Sequence, residues 1–237
     1  MTTGRVLDMR VQDAIYGREW DRSHYLKHLR IHNVEYCLGL LLHQCKRLAK
    51  TYSDTLEHII RLAENNDDGR IQVGRQFEVY YDFDEVVTAG IRALESLRHV
   101  IWDGFHESGS VPRSFDRVVN TSQNLPGEIR QLISEQSDFF REAKEFRDCI
   151  HHYFSPGVHT DFADVQKLGL GFWTLTAWLP DNVETRSALH FRYAKEADAL
   201  TFGWSLANRT IELFEKLAST IAPARDAGGA WVGDTAG

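Results

Sequence analysis

The sequence predicts a mainly α-helical protein, a bundle of about five helices with one inserted β-hairpin. Three observations carry that prediction. Apolar residues recur at three- and four-residue steps over long stretches. Turn-forming clusters such as Asn65-Asn66-Asp67-Asp68-Gly69 punctuate those stretches. Between about residues 168 and 193 the period changes to the alternation of strands.

Residues 1–22 are polar and charged and predict a flexible N-terminal arm. A long helix is expected from about Ser23 to Glu64, because Leu38, Leu41, Leu42, Cys45 and Leu48 mark one apolar face. Gln76 to Tyr81 suits an extended segment. Asp82 or Asp84 then suits the cap of a second helix running to about His106, with Val86, Val87, Ile91, Leu94, Leu97, Val100 and Ile101 as its stripe. Phe115 to Val119 fits a short helical turn. Pro126 fits the first turn of a helix ending near Glu135. Ser137 or Asp138 suits the cap of the next, which Ser155-Pro156-Gly157 stops, since proline breaks the hydrogen-bond ladder.

Leu170, Phe172, Leu175, Ala177 and Leu179 then alternate with polar residues as a strand. Pro180-Asp181-Asn182 turns the chain, and Ala188 to Tyr193 is expected to pair back. A last helix is expected from about Ala194 to Ile221, and residues 222–237 read as a disordered tail. The stretch 23–221 is thus expected to be a single helical domain carrying the hairpin.

Composition narrows the function. The chain has 237 residues, 43% hydrophobic and 26% charged, enough to build a core without disulfides. A formal net charge of -7 argues against broad binding to duplex nucleic acid, which needs many cations on phosphates, but leaves room for a local basic site. The cysteines, Cys37, Cys45 and Cys149, form no Cys-x-x-Cys pair and fit reduced thiols in a cytoplasmic protein. The N-terminal stretch has no apolar secretory core, and Leu168 to Leu179 is too short to span a bilayer, so no membrane partner is expected. Phosphate-loop, nucleophile-elbow and dinucleotide fingerprints are absent from the sequence, which sets aside the enzymes built on them. His24, His28 and His32 share a helix face with Glu35 nearby. No Glu-x-x-His pair complements them, so a polar face is expected, with neither metal nor cofactor.

The chemically distinctive stretch is Arg147-Asp148-Cys149-Ile150-His151-His152, late in a helix whose other side carries Phe139, Ala143, Phe146, Ile150, Tyr153 and Phe154. At about 100° per residue, His151 falls nearly above Arg147, while His152 lies roughly 140° away on the polar side. Arginine is permanently charged and presents a donor fork suited to phosphate. Histidine exchanges protons near neutral pH. Asp148 can orient either group. Arg141 and Lys144 extend a basic run that suits single-stranded RNA.

Arg147-Asp148-x-x-x-His152 resembles the Arg-x4-6-His signature of the HEPN superfamily, in which a polar residue commonly follows the arginine. The resemblance implies a helical bundle that dimerises so that two motifs face one cleft. It implies a metal-independent endoribonuclease, in which the ribose 2′-hydroxyl attacks phosphorus and leaves a 2′,3′-cyclic phosphate. Arg147 would stabilise phosphate charge and His152 would manage protons. The family spacing selects His152, while helix geometry pairs Arg147 with His151, so both stand as candidates. The family also implies toxin–antitoxin or antiphage settings, with an antitoxin or regulatory protein as partner. Many of its members have lost catalysis and act as interaction or scaffold modules.

Overall fold

Helical periodicity is realised in four long helices. In the computed structural model these are α1 (Arg22–Glu64), α2 (Gln76–Phe105), α3 (Gly127–His152) and α4 (Ala199–Ile221). Between α3 and α4 in the chain come β1 (Ala163–Lys167), β2 (Trp173–Ala177) and a 3-10 turn at Val183–Thr185. The structure describes residues 22–64, 76–105, 125–152, 163–167, 173–185, 187, 190–194 and 196–221, with 111, 113, 115, 117 and 118. The expected arm, apart from Arg22, and the expected tail lie outside the described residues, as does the Ser155-Pro156-Gly157 stop.

The chain divides into two compact units. The first comprises Met1–Gly39, Arg92–Asp138 and Asn208–Gly237. Its core includes Val34, Leu97, Ile101, Ile129, Leu213 and Leu217, all nearly inaccessible to water. Ser96, buried within it, is bonded on both sides, as burial demands. Asn33 Nδ2 donates to Ser96 Oγ at 2.8 Å, and Ser96 Oγ donates to the Arg92 carbonyl at 3.0 Å.

The second unit comprises Leu40–Ile91 and Phe139–Ala207. Its centre is aromatic. Phe146 meets Phe83 edge-on at 5.7 Å and Phe202 at 5.1 Å, while Phe139 stacks on Phe202 at 4.8 Å. Two glycines permit close packing beside this cluster. A Cβ on Gly90 would stand 2.4 Å from Leu206 Cδ2, and one on Gly203 would stand 3.1 Å from Val86 Cγ1. The bare backbone at Gly203 also lets Cys45 Sγ donate to its carbonyl at 3.5 Å. Burial pushes that thiol up to about 12, so it stays protonated and unreactive. Asp82 is buried but answered by charge. Arg47 Nη2 lies 2.7 Å from its Oδ1, and Thr51 Oγ1 donates to its Oδ2.

Four sequence expectations are corrected. First, Gln76 to Tyr81 is helical rather than extended, so Asp82 and Asp84 lie inside α2 instead of capping it. Val79, Tyr80 and Phe83 are buried at helical spacing, and that packing outweighs the β-leaning of the aromatic pair. Second, the helices expected on either side of Ser137 are one helix, α3, so the described residues hold four long helices where about five helices were expected in all. Ser137 is not a cap; its hydroxyl donates to the Ser134 carbonyl at 2.8 Å, as helix-interior serines do. Pro126 opens this helix as expected, its carbonyl accepting from the Ile129 and Arg130 amides at 3.1 and 3.0 Å.

Third, β2 pairs antiparallel with the preceding β1, from Ala163 opposite Ala177 to Lys167 opposite Trp173. The expected partner, Ala188 to Tyr193, forms no strand among its described residues. Buried Asn182 takes the place of a ladder there. Its Nδ2 donates to the His190 carbonyl at 2.9 Å, and its Oδ1 accepts from the Arg192 amide at 2.7 Å. Fourth, the last helix starts at Ala199, not Ala194, because Asp198 caps it. Asp198 Oδ2 accepts from the Thr201 amide at 3.1 Å.

Candidate functional site

The last turns of α3, in the second unit, carry the arginine–histidine motif. Phe146 and Cys149 point into the core and are essentially inaccessible. They fix the rotation of the helix, and the residues between and after them are turned outward by the 3.6-residue period. Arg147 and Asp148 are consequently about one-third exposed, and His151 and His152 are exposed. Arg141 and Lys144 are exposed on the preceding turns of the same helix.

Arg147 Nε lies 2.9 Å from Asp148 Oδ1. The Nε–H is not aligned for a hydrogen bond, so the pair is held by charge rather than by a directed bond. The carboxylate stands on the Nε side. Both Nη groups are left without a polar partner among the described residues. No polar contact joins Arg147 to either histidine. His151 instead meets a residue from another helix, its Nε2 lying 3.2 Å from Thr88 Oγ1 of α2. The motif is therefore brought together as an Arg147–Asp148 pair and a separately held His151.

Two residues of this region escape sequence reasoning. Thr88 lies 63 positions from His151, and no local pattern marks a helix-interior threonine as special. Asp84, which the sequence offers only as a helix cap, sits one turn before Thr88 in α2, between the buried Phe83 and Val86. The one legible signal was an acid set among core residues. Asp84 Oδ1 is buried without a partner, and burial, with the charge of Glu85 added, pushes its carboxyl up to about 7. On α3, burial raises Glu142 above the usual carboxylate range, and Glu145 adds to the shift.

An acid whose folded pKa lies above its unfolded value stabilises the fold while it is protonated and loses that contribution as the pH rises through the folded value. For Asp84 that window runs from the ordinary aspartate range up to about 7. Asp84→Asn keeps the shape and removes the titration. Urea unfolding is expected to give nearly equal stabilities at pH 4. At pH 8 the variant should be the more stable by on the order of 2 kcal/mol. Parallel pH profiles for the two proteins would show that Asp84 is not desolvated in the fold.

A concavity lies in the first unit, an open groove of about 670 Å³ along α3 and α4. Glu128, Glu135, Glu212 and Glu215 line it together with Lys216, which lies 2.8 Å from Glu128 Oε2. That field repels phosphate, so the groove is no path for RNA. Among the described residues, no three His, Cys, Asp or Glu side chains converge in a metal site. His32 Nδ1 lies 3.2 Å from Glu35 Oε2. No helix among the described residues is long and apolar enough to cross a membrane.

These features define a mainly helical protein that presents an Arg147–Asp148 pair and two exposed histidines in the last turns of one helix. Compared with known proteins, the chain matches no family model, no curated protein and no solved structure.

Proposed function

We propose that the protein is a HEPN-like, metal-independent endoribonuclease that acts as a cytoplasmic homodimer. The observation that carries this reading is the joint accessibility of Arg147, Asp148, His151 and His152 on a helix whose opposite face is buried. Arg147 offers its two Nη groups to a phosphate, because Asp148 occupies its Nε side. Arg141 and Lys144 extend the positive charge along the helix toward single-stranded RNA.

In the proposed reaction a neutral histidine takes the proton of the ribose 2′-hydroxyl. The 2′-oxygen bonds to phosphorus, the bond from phosphorus to the 5′-oxygen breaks, and a protonated histidine returns a proton to that leaving oxygen. The products are a 2′,3′-cyclic phosphate and a 5′-hydroxyl. His151 and His152 supply the two protonation states, and Arg147 stabilises the charge that grows on the phosphate oxygens. In this reading a second copy of the chain supplies the opposite wall of the cleft.

The competing reading is a non-catalytic interaction module with an antitoxin or regulatory protein as partner. The engagement of Arg147 by its own neighbour Asp148 favours it. The discriminating experiment incubates purified protein with single-stranded RNA in excess chelator and measures cyclic-phosphate ends, with molar mass from light scattering. Wild type should be dimeric and active. Arg147→Ala and His152→Ala should each lose about a hundredfold or more. Equal rates in all three would remove these residues from the site, and an inactive wild-type dimer would leave the interaction module.

A further inference from the structure

Thr88, like Thr51 at Asp82, uses its hydroxyl on a side chain of another helix, here His151. Serine and threonine inside helices normally donate back to a carbonyl three or four residues earlier. Ser96 of the same helix does so with Arg92, at 3.0 Å, and Ser137 and Ser219 do so with Ser134 and Lys216. Thr88 does not. Among the described residues, its hydroxyl has one polar partner, the Nε2 of His151, 3.2 Å away on α3. His151 in turn has no other polar partner among them. The contact is exposed, so water takes the Thr88 hydroxyl proton when Oγ1 accepts from the ring.

We propose that Thr88 is a positioning residue for His151, accepting a hydrogen bond from Nε2–H and so presenting Nδ1 as the ring edge that exchanges protons. The chemistry of the pair fits this use. In an imidazole, the bond made by one nitrogen sets the protonation of the other. With Nε2–H donating to Thr88 Oγ1, the neutral ring has its lone pair on Nδ1. When Nδ1 takes a proton, the Nε2–H bond is unchanged. The ring can therefore cycle between both charge states without turning. Arg147 lies one turn before His151 on nearly the same helix face, which puts ring and guanidinium within reach of one phosphodiester. Of the two adjacent histidines, this assigns proton exchange with the 2′-hydroxyl to His151. Only that last role rests on the ribonuclease reading; the ring's fixed tautomer does not.

The test keeps the two apart. In histidine-labelled protein, nitrogen NMR shifts report the tautomer of each ring, with His151 assigned by its disappearance in His151→Gln. Wild type and Thr88→Ser are expected to show His151 as the Nε2–H form, whereas Thr88→Val should show a mixture of both tautomers. A mixture already present in wild type, or a spectrum unchanged in Thr88→Val, would overturn the proposal. If wild type cleaves RNA, Thr88→Val should lower kcat by about fivefold at unchanged KM, with Thr88→Ser restoring it. An unchanged kcat in Thr88→Val would likewise overturn the assignment of proton exchange. A wild type that cleaves nothing counts against the ribonuclease, and the tautomer measurement still decides the role of Thr88.

Discussion

Phe146→Ala is expected to destabilise the protein by about 3–5 kcal/mol, the range for deleting a fully buried aromatic ring. The ring is inaccessible to water and touches two other phenylalanines edge-on, Phe83 at 86° and Phe202 at 71° between ring planes. Edge-to-face pairs add roughly 0.5–1.5 kcal/mol each beyond the burial of area. The cavity left behind has little means of collapse. Its walls come from α2 and α4, and Gly90 already packs against Leu206 too tightly for one more methyl group. Urea unfolding should show a lower midpoint at nearly constant slope. Phe146→Leu, which keeps most of the volume, should cost less than half as much. A loss below about 1 kcal/mol for the alanine variant would mean that the aromatic centre of the second unit is not closely packed. Phe146 also precedes Arg147 directly, so the same packing sets the rotation of α3 on which the motif depends.

Much of this fold was legible because helices declare themselves by period. The apolar stripe from Val86 to Ile101 in α2 is buried throughout, and α1 runs to Glu64, the bound its period predicts. The misreadings share one cause, the reliance on local chemistry at element ends. Serine at position 137 and aspartate at 82 or 84 have capping side chains, but a cap forms only where the backbone leaves the helix. In both places buried side chains on either side hold the helix continuous. The strand partner was misassigned because Ala188 to Tyr193 has the right alternation, while Asn182 satisfies its backbone groups by another route. The site was half legible. The helical wheel placed His152 on the polar side, and it is exposed. It gave no access to Thr88 or Asp84, which α2 brings to the region from far away in the chain. Sequence periodicity describes one helix at a time, whereas the surroundings of a histidine belong to two.

Asp198→Ala is expected to cost about 3 kcal/mol, because one carboxylate serves three segments of the second unit. Its Oδ2 accepts from the amide and hydroxyl of Thr201, capping α4, and loss of such a cap costs about 1 kcal/mol. Its Oδ1 accepts from the Ala177 amide at the end of β2, at 3.0 Å, and from the Tyr52 hydroxyl of α1, at 2.7 Å. Tyr52 is buried, and its oxygen accepts in turn from the Leu200 amide at 3.2 Å. Removing the carboxylate strands a buried hydroxyl proton and a strand-end amide, at roughly 1–3 kcal/mol together. Burial, followed by the charge of Asp198, holds the Tyr52 phenol well above its ordinary range, so the proton it donates stays in place throughout the neutral range. Tyr52→Phe alone should cost about 1 kcal/mol. If the bond between them is what joins α1 to the start of α4, the double variant should cost less than the two single losses added, by at least about 0.5 kcal/mol. Strict additivity would reduce Asp198 to an ordinary helix cap. A large coupling would instead make it the point where α1, β2 and α4 are fastened, which also fixes where Phe202 at the first turn of α4 meets Phe146.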